Sequence, residues 1–330
     1  MTVKLFGIGR EAFRVGGDLY HIHDPELLIV GLVLRAAGKR VVYDIREDCP
    51  RTVLYKHYLA KPIRKPVMWI VERVENAAAQ YMSGLITATP TIASRFRSMH
   101  SNPVVVNNYP ILSEFAQPTS REWASRDAAV TYIGGISEVR GIREMLAAMD
   151  LLPKALGAKL ELAGWFLVPR LHAELVAKPQ WQHVHWRGKL DRNGIAALLN
   201  RVQVGLVVLH PEQNFVVSHP IKLFEYMAAG IPVIASDFPL WRSIIQEAGC
   251  GLLVDPFDTR ALACAIERLM TNRDEAEAMG RRGRKAVEDR FNWANEERTL
   301  LSFYSSLLPG SGVVAKPGLQ ALAGDPEITQ

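Results

Sequence analysis

The sequence predicts an α/β protein of two doubly wound, Rossmann-like domains, and three observations predict it. Short apolar segments alternate with amphipathic ones, the rhythm of parallel strands joined by helices. The chain has 330 residues, more than the roughly 250–300 at which single cores stop growing. The alternation stops at a polar stretch, Ser113 to Asp127 (SEFAQPTSREWASRD), and then starts again.

In the first part, Leu19–Ile22, Val41–Ile45, Gly84–Ala88 and Val104–Val106 read as strands. Helices are expected over Pro25–Ala37 and roughly Pro66–Met82. In the second part, Ala129–Ile133 is a strand and Gly134-Gly135 a turn. Ile142, Met145, Leu146 and Met149 then give the i, i+3, i+4, i+7 stripe of a helix. Lys159–Ala163, His183–Trp186, Val204–Leu209 and Pro232–Ala235 are further strands. Asp258 is placed to cap a helix carrying Leu262, Ile266 and Leu269 on one face. The division that follows is a short first domain over 1–112, a linker over 113–128, a second domain over 129–293 and a closing helix over 294–308. The tail, 309–330, is rich in Gly, Pro and Ala and is expected to be disordered.

Composition narrows the function classes. The longest apolar run, Leu27 to Leu34, is eight residues, too short to span a bilayer. The N-terminus (MTVKLFGIGREAFRVGG) lacks the apolar core of a signal peptide. Cys49, Cys250 and Cys264 are scattered and form neither a disulfide framework nor a zinc pattern. A cytoplasmic location is the expectation. A net charge of +5 and a pI of 9.1 suit phosphate-bearing ligands or anionic lipid surfaces. No recognition helix, zinc finger or RNA-binding motif appears, so no nucleic-acid partner is expected.

The most informative stretch is His210–Asp237. A strand ends, a loop follows, and a helix is expected to start with Pro220 as its first residue. The free amides of such a first turn attract anions, and Lys222 adds a positive charge there. Glu225 follows three residues later on the same face, and its two oxygens can accept both hydroxyls of a ribose. Gly230 ends the helix. Phosphate at the helix start and ribose one turn in describe half of a nucleotide site.

The run Pro220–Trp241 (PIKLFEYMAAGIPVIASDFPLW) resembles the donor-site signature of the retaining glycosyltransferase family 4, which has the GT-B fold. Other segments agree in order and spacing: Asp18–Glu26 (DLYHIHDPE), Val42–Pro50 (VYDIREDCP), Tyr132–Gly141 (YIGGISEVRG) and Phe291-Asn292-Trp293. The resemblance covers about residues 18–308. It implies the GT-B fold, with its two domains facing a cleft, and transfer of a sugar, with retention, from a nucleoside-diphosphate sugar to a hydroxyl of a glycan or polyprenyl-linked acceptor. A uridine diphosphate sugar is favoured over a guanosine diphosphate one. The nucleotide sugar is a substrate, so no cofactor is expected, and no metal.

Carried over by position, Glu225 would bind the donor ribose, while Lys222, Arg140, Gly134, Gly135 and the amides from Ser218 to Ile221 would face the diphosphate. His23 would contact the transferred sugar, and His21 shares its face of the strand. Among Asp44, Glu47 and Asp48, at least one would face the acceptor and could serve as a base; a helix-capping role is the other reading of Asp48. Three positions depart from the family pattern: Val217 replaces the first of two glutamates, Gly135 an arginine, and Arg46 a histidine. Only 17 residues precede the Asp18 segment, where family members have further βα units, so the first domain is expected to be truncated. The segment 55–73 (YKHYLAKPIRKPVMWIVER) mixes basic and aromatic residues and suits peripheral contact with an anionic membrane. Two alternatives stay open: a nucleotide-sugar epimerase of the same fold, and a non-catalytic nucleotide-sugar-binding protein.

Overall fold

The computed structural model describes residues 2–55, 59–99, 103–116 and 119–308. The expected tail, 309–330, lies outside them. The described chain forms two parallel sheets. The first runs in the order β1 (Leu19–Ile22), β2 (Arg40–Ile45), β3 (Gly84–Thr87), β4 (Val104–Val105). Val41, Tyr43 and Ile45 point to one face of β2 and pack with Leu34, Ala79, Leu85 and Phe96. The other face is covered from far along the chain. A Cβ added to Gly84 would lie 2.3 Å from Phe303 Cζ, so the helix Trp293–Leu307 packs against β3 where only glycine leaves room.

The second sheet has the order β10-β9-β8-β5-β6-β7. Its strands are β5 (Ala129–Ile133), β6 (Lys159–Ala163), β7 (Val184–Gly188), β8 (Val204–Val207), β9 (Val233–Ser236) and β10 (Gly251–Val254). Strands β5, β8 and β9 are buried along their whole length, as strands covered on both faces must be. The winding reverses between β5 and β8, which pair directly. Such a switch point leaves a crevice outside the carboxyl ends of the two strands, because their following loops turn to opposite faces.

Several expectations need correction. The helix Thr2–Val15 was not foreseen; it is fixed where the Tyr20 hydroxyl donates to Ala12 O at 2.8 Å. The helix expected from Pro66 begins at Lys61 and runs to Gln80. Pro66 gives up one amide donor there without ending the helix, because proline's fixed φ is the helical one. Pro220 is the N-cap, with ψ 120°, and the helix begins at Ile221 and ends at Ala228. The stretch expected as the linker packs against the second domain. Phe115 and Trp123 are buried in the second core. The helix Ser120–Ala124 is held by a reciprocal capping box between Thr119 and Glu122. The buried Arg126 guanidinium donates to the carbonyls of Leu199, Val202 and Ala229, which ties this stretch to the second domain. Asp258 does cap its helix, accepting from Ala261 N at 2.9 Å.

Candidate functional site

The switch point is built by the loop after β5 and the segment after β8. Gly134, with φ +110°, turns the chain out of β5, and its amide donates to Ala163 O at 2.8 Å. Gly164, with φ +154°, comes so close that a Cβ there would lie 1.8 Å from Gly134 O. The loops after β5 and β6 therefore run side by side, backbone on backbone. Gly141 closes the turn with φ +76°, and a Cβ on it would lie 2.0 Å from Val208 O. Gly141→Ala is expected to lower stability by about 1–3 kcal/mol from backbone strain alone. Denaturant unfolding measures this, and an unchanged midpoint would contradict the contact.

Three polar side chains converge on this turn. The Tyr132 hydroxyl donates to Gly135 O at 2.8 Å and accepts from Lys222 Nζ at 3.2 Å. Burial pushes the Tyr132 hydroxyl up to about 12, against the pull of Arg140, so it stays protonated and remains a donor. Arg140 Nη1 donates to the same Gly135 carbonyl at 3.2 Å. Lys222 stands in a desolvated place: burial first, and then the charge of Arg140, bring it down to about 7, while Glu225 opposes the shift. A lysine poised at neutrality beside a second cation is a site waiting for an anion.

Glu225 is 5% exposed. It accepts from Arg192 Nη1 at 2.5 Å, and the same guanidinium holds Glu114. Sequence reasoning missed Arg192. It opens the helix Arg192–Arg201 that follows β7, and no spacing in the chain links it to Glu225. Ser218 differs from expectation as well. Its hydroxyl and its amide both donate to Phe215 O, each at 3.2 Å, and its carbonyl accepts from Trp241 Nε1 at 2.8 Å. Its amide is therefore taken. The amides of His219 and Ile221 make no backbone hydrogen bond among the described residues. His219 instead bridges the two domains, with Nδ1 3.0 Å from Asn107 Oδ1 and its ring against Tyr109.

In the first domain, the carboxyl end of the sheet gathers a second cluster. Asp44 accepts from His23 Nδ1 at 2.8 Å, and His21 Nε2 lies 3.5 Å from the same oxygen. The two imidazole rings stack with centroids 4.4 Å apart. Burial works to raise the Asp44 carboxyl, but His21 and His23 beside it outweigh that and hold it below its usual value. His21 Nδ1 meets the Tyr304 hydroxyl of the last helix. These three first-domain side chains can hold a metal ion, a cluster the sequence did not reveal because β1 and β2 bring it together. Glu47 is exposed and makes no side-chain hydrogen bond among the described residues. Asp48 stands at the N-cap of the turn Cys49–Thr52 but makes no capping bond. Its carboxylate pairs with Arg95 at 2.8 Å, because that buried guanidinium, which also holds Glu75, offers the stronger partner.

Comparison with known proteins bears on both domains. A family model described as glycosyl transferases group 1 matches residues 113–286, more than half of the chain. The phosphatidyl-myo-inositol mannosyltransferase of Mycobacterium leprae is 30% identical over 126 residues, which are 38% of this chain and 32% of that protein. A sucrose-phosphate synthase from Thermosynechococcus elongatus superposes with a TM-score of 0.73 at 23% identity, over 92% of this chain and 77% of its own. The Anabaena protein HepE, crystallised with UDP-glucose, superposes with a TM-score of 0.71 at 15% identity, over 92% of this chain and 82% of its own. These structural likenesses show the GT-B fold. The chain spans 32%, 63% and 39% of the lengths of the first curated relatives it matches.

Proposed function

The chain belongs to the family of glycosyl transferases group 1, and from that premise we propose that it moves a sugar from a nucleoside-diphosphate sugar to a hydroxyl of a glycan or lipid-linked acceptor, with retention. One observation carries the reading. Lys222 and Arg140 converge on the Gly135 turn at the switch point, beside the start of the helix Ile221–Ala228, with the Glu225 carboxylate one turn further in. Cations at a helix start bind a diphosphate, and an acidic group beyond it binds a ribose.

As the bond between the sugar and the diphosphate breaks, negative charge grows on the leaving phosphate. Lys222, Arg140 and the amides of His219 and Ile221 stabilise that charge. Glu225 exchanges its Arg192 contact for the ribose hydroxyls, while Arg192 keeps Glu114. His23 contacts the transferred sugar, held by Asp44. Glu47 is the carboxylate whose oxygens are not engaged, and it faces the acceptor. A uridine diphosphate sugar is the first donor to test, since a protein of the same fold was crystallised with UDP-glucose. Release of nucleoside diphosphate by purified protein from UDP- and GDP-sugars, with product analysis, tests the reading. Binding without turnover across candidate acceptors would replace it with a non-catalytic role, and an epimerised sugar nucleotide with an epimerase.

The acceptor side also supports contact with a membrane surface. No helix among the described residues is long and apolar enough to cross a bilayer. The helix Lys61–Gln80 instead exposes Ile63, Trp69, Ile70 and Val74, and the Arg73 guanidinium lies 4.7 Å from the centre of the Trp69 ring. Residues 56–58 of the expected membrane segment lie outside the described chain. The protein is expected to co-sediment with vesicles containing anionic lipid, and Trp69→Ala to weaken this. Equal behaviour with neutral and anionic vesicles would remove the proposal.

A further inference from the structure

We propose that His21, His23 and Asp44, at the carboxyl end of the first sheet, form a three-ligand site for a divalent metal ion of the zinc class. The ligand atoms all lie within 4.8 Å of one another. Tetrahedral ligands at about 2.0–2.2 Å from zinc would stand roughly 3.3–3.5 Å apart. The separation of 3.5 Å between His21 Nε2 and Asp44 Oδ2 already has that value, and the 2.8 Å between His23 Nδ1 and the same oxygen opens by rotating one ring.

A second observation points the same way. His21 Nε2 is buried and has no hydrogen-bond partner, yet it faces a carboxylate oxygen. His21 Nδ1 meets the Tyr304 hydroxyl, so Nε2 is the ring nitrogen turned to Asp44. Two imidazoles with one carboxylate are the donor set of an open zinc site. Tyr304 takes the place of the acceptor that orients a metal-bound histidine.

The backbone explains the assembly. His21 is paired with Val42 across β1 and β2, so Asp44, two residues on, shares its face of the sheet, and the last helix brings Tyr304 against that face. His23 forms the solvent-facing wall, with 43% of its side chain exposed, and leaves the fourth position open there to water or an oxygen ligand. Arg46, with Nε 3.4 Å from Asp44 Oδ2, is the competing cation; its side chain is 66% exposed and free to swing aside.

The test is calorimetric titration of the metal-stripped full chain with Zn2+ alone. One site is expected in the wild type, weakened at least about tenfold in each of His21→Ala, His23→Ala and Asp44→Asn. Tyr304→Phe, which leaves all three ligands in place, is expected to weaken binding about 10–100-fold, as loss of the hydrogen-bond partner of a metal-bound histidine does. If a ligand variant fails to fold, the absorption spectrum of the wild type loaded with Co2+ decides: intense four-coordinate bands support the site, and the spectrum of the hydrated ion overturns it. No Zn2+ binding in the wild type, or the same isotherm in folded variants, also overturns it. Neither readout depends on sugar transfer, so failure of metal binding and failure of the proposed activity are told apart.

Discussion

Glu225→Gln is expected to lower nucleotide-sugar turnover by about 10²–10³-fold, roughly 3–4 kcal/mol, within the range for truncating one partner of a buried charged pair. The substitution keeps the shape of the side chain and removes its charge. A carboxylate accepts a hydrogen bond on each oxygen, so it can take both hydroxyls of a ribose, whereas an amide offers one acceptor and one donor. Glu225 is 5% exposed, and water replaces little of what the ligand loses. The fold should survive, because Arg192 keeps its bonds to Glu114. Thermal unfolding and turnover measured on one preparation separate the two effects. Unfolding and activity that fall together would make Glu225 a structural residue, and unchanged turnover would remove it from the donor site.

Lys222→Met is expected to abolish tight binding of a nucleoside diphosphate while leaving the fold at least as stable at pH 6. The lysine sits at about 7 in the folded chain against an ordinary 10.5, because burial and then Arg140 disfavour its charge. In the unfolded chain it holds its proton up to the ordinary value. Between about 7 and 10.5 the unfolded state therefore binds more protons, and stability rises with pH across that window. Below about 7 the folded protein carries the buried charge in full, and methionine relieves that cost. A diphosphate reverses the balance, since its negative charge draws the proton back onto Lys222. Binding should take up close to one proton near pH 8, and affinity should fall by up to about tenfold per pH unit above neutrality. The methionine variant should lose the proton uptake together with the affinity. Stability of Lys222→Met below that of the wild type at pH 6 would contradict the strained charge.

Much of the fold was legible because its strands are short, apolar and bounded by turn residues. β1, β5 and β6 fall where the composition puts them, and Asp258 and Gly230 mark helix ends by capping chemistry that is local in sequence. What was hidden depends on distance along the chain. Arg192 reaches Glu225 across 33 residues, and Tyr304 reaches His21 across 283. No periodicity encodes such pairs, since sheet order and the returning last helix make them. The burial that lowers Lys222 was hidden for the same reason: the sequence shows a lysine near a helix start, but the Tyr132 ring 4.4 Å from its ammonium comes from a strand 90 residues away. Phe115 and Trp123 were visible in the polar stretch before Ala129, and two large apolar side chains there were a signal that the segment is packed. Ser218 shows the limit of reading by position, because its place beside Pro220 suggested a free amide and the loop turns that amide back to Phe215.

Lys222, Arg140 and the turn at Gly134–Gly141 are the proposed diphosphate site. Calorimetric titration of the full chain with UDP at pH 8, in two buffers of different ionisation enthalpy, tests it most directly. One site is expected, with proton uptake close to one in the wild type and none in Lys222→Met. Binding that exchanges no proton and persists in Lys222→Met would contradict it, as would a wild-type chain that binds neither UDP nor GDP.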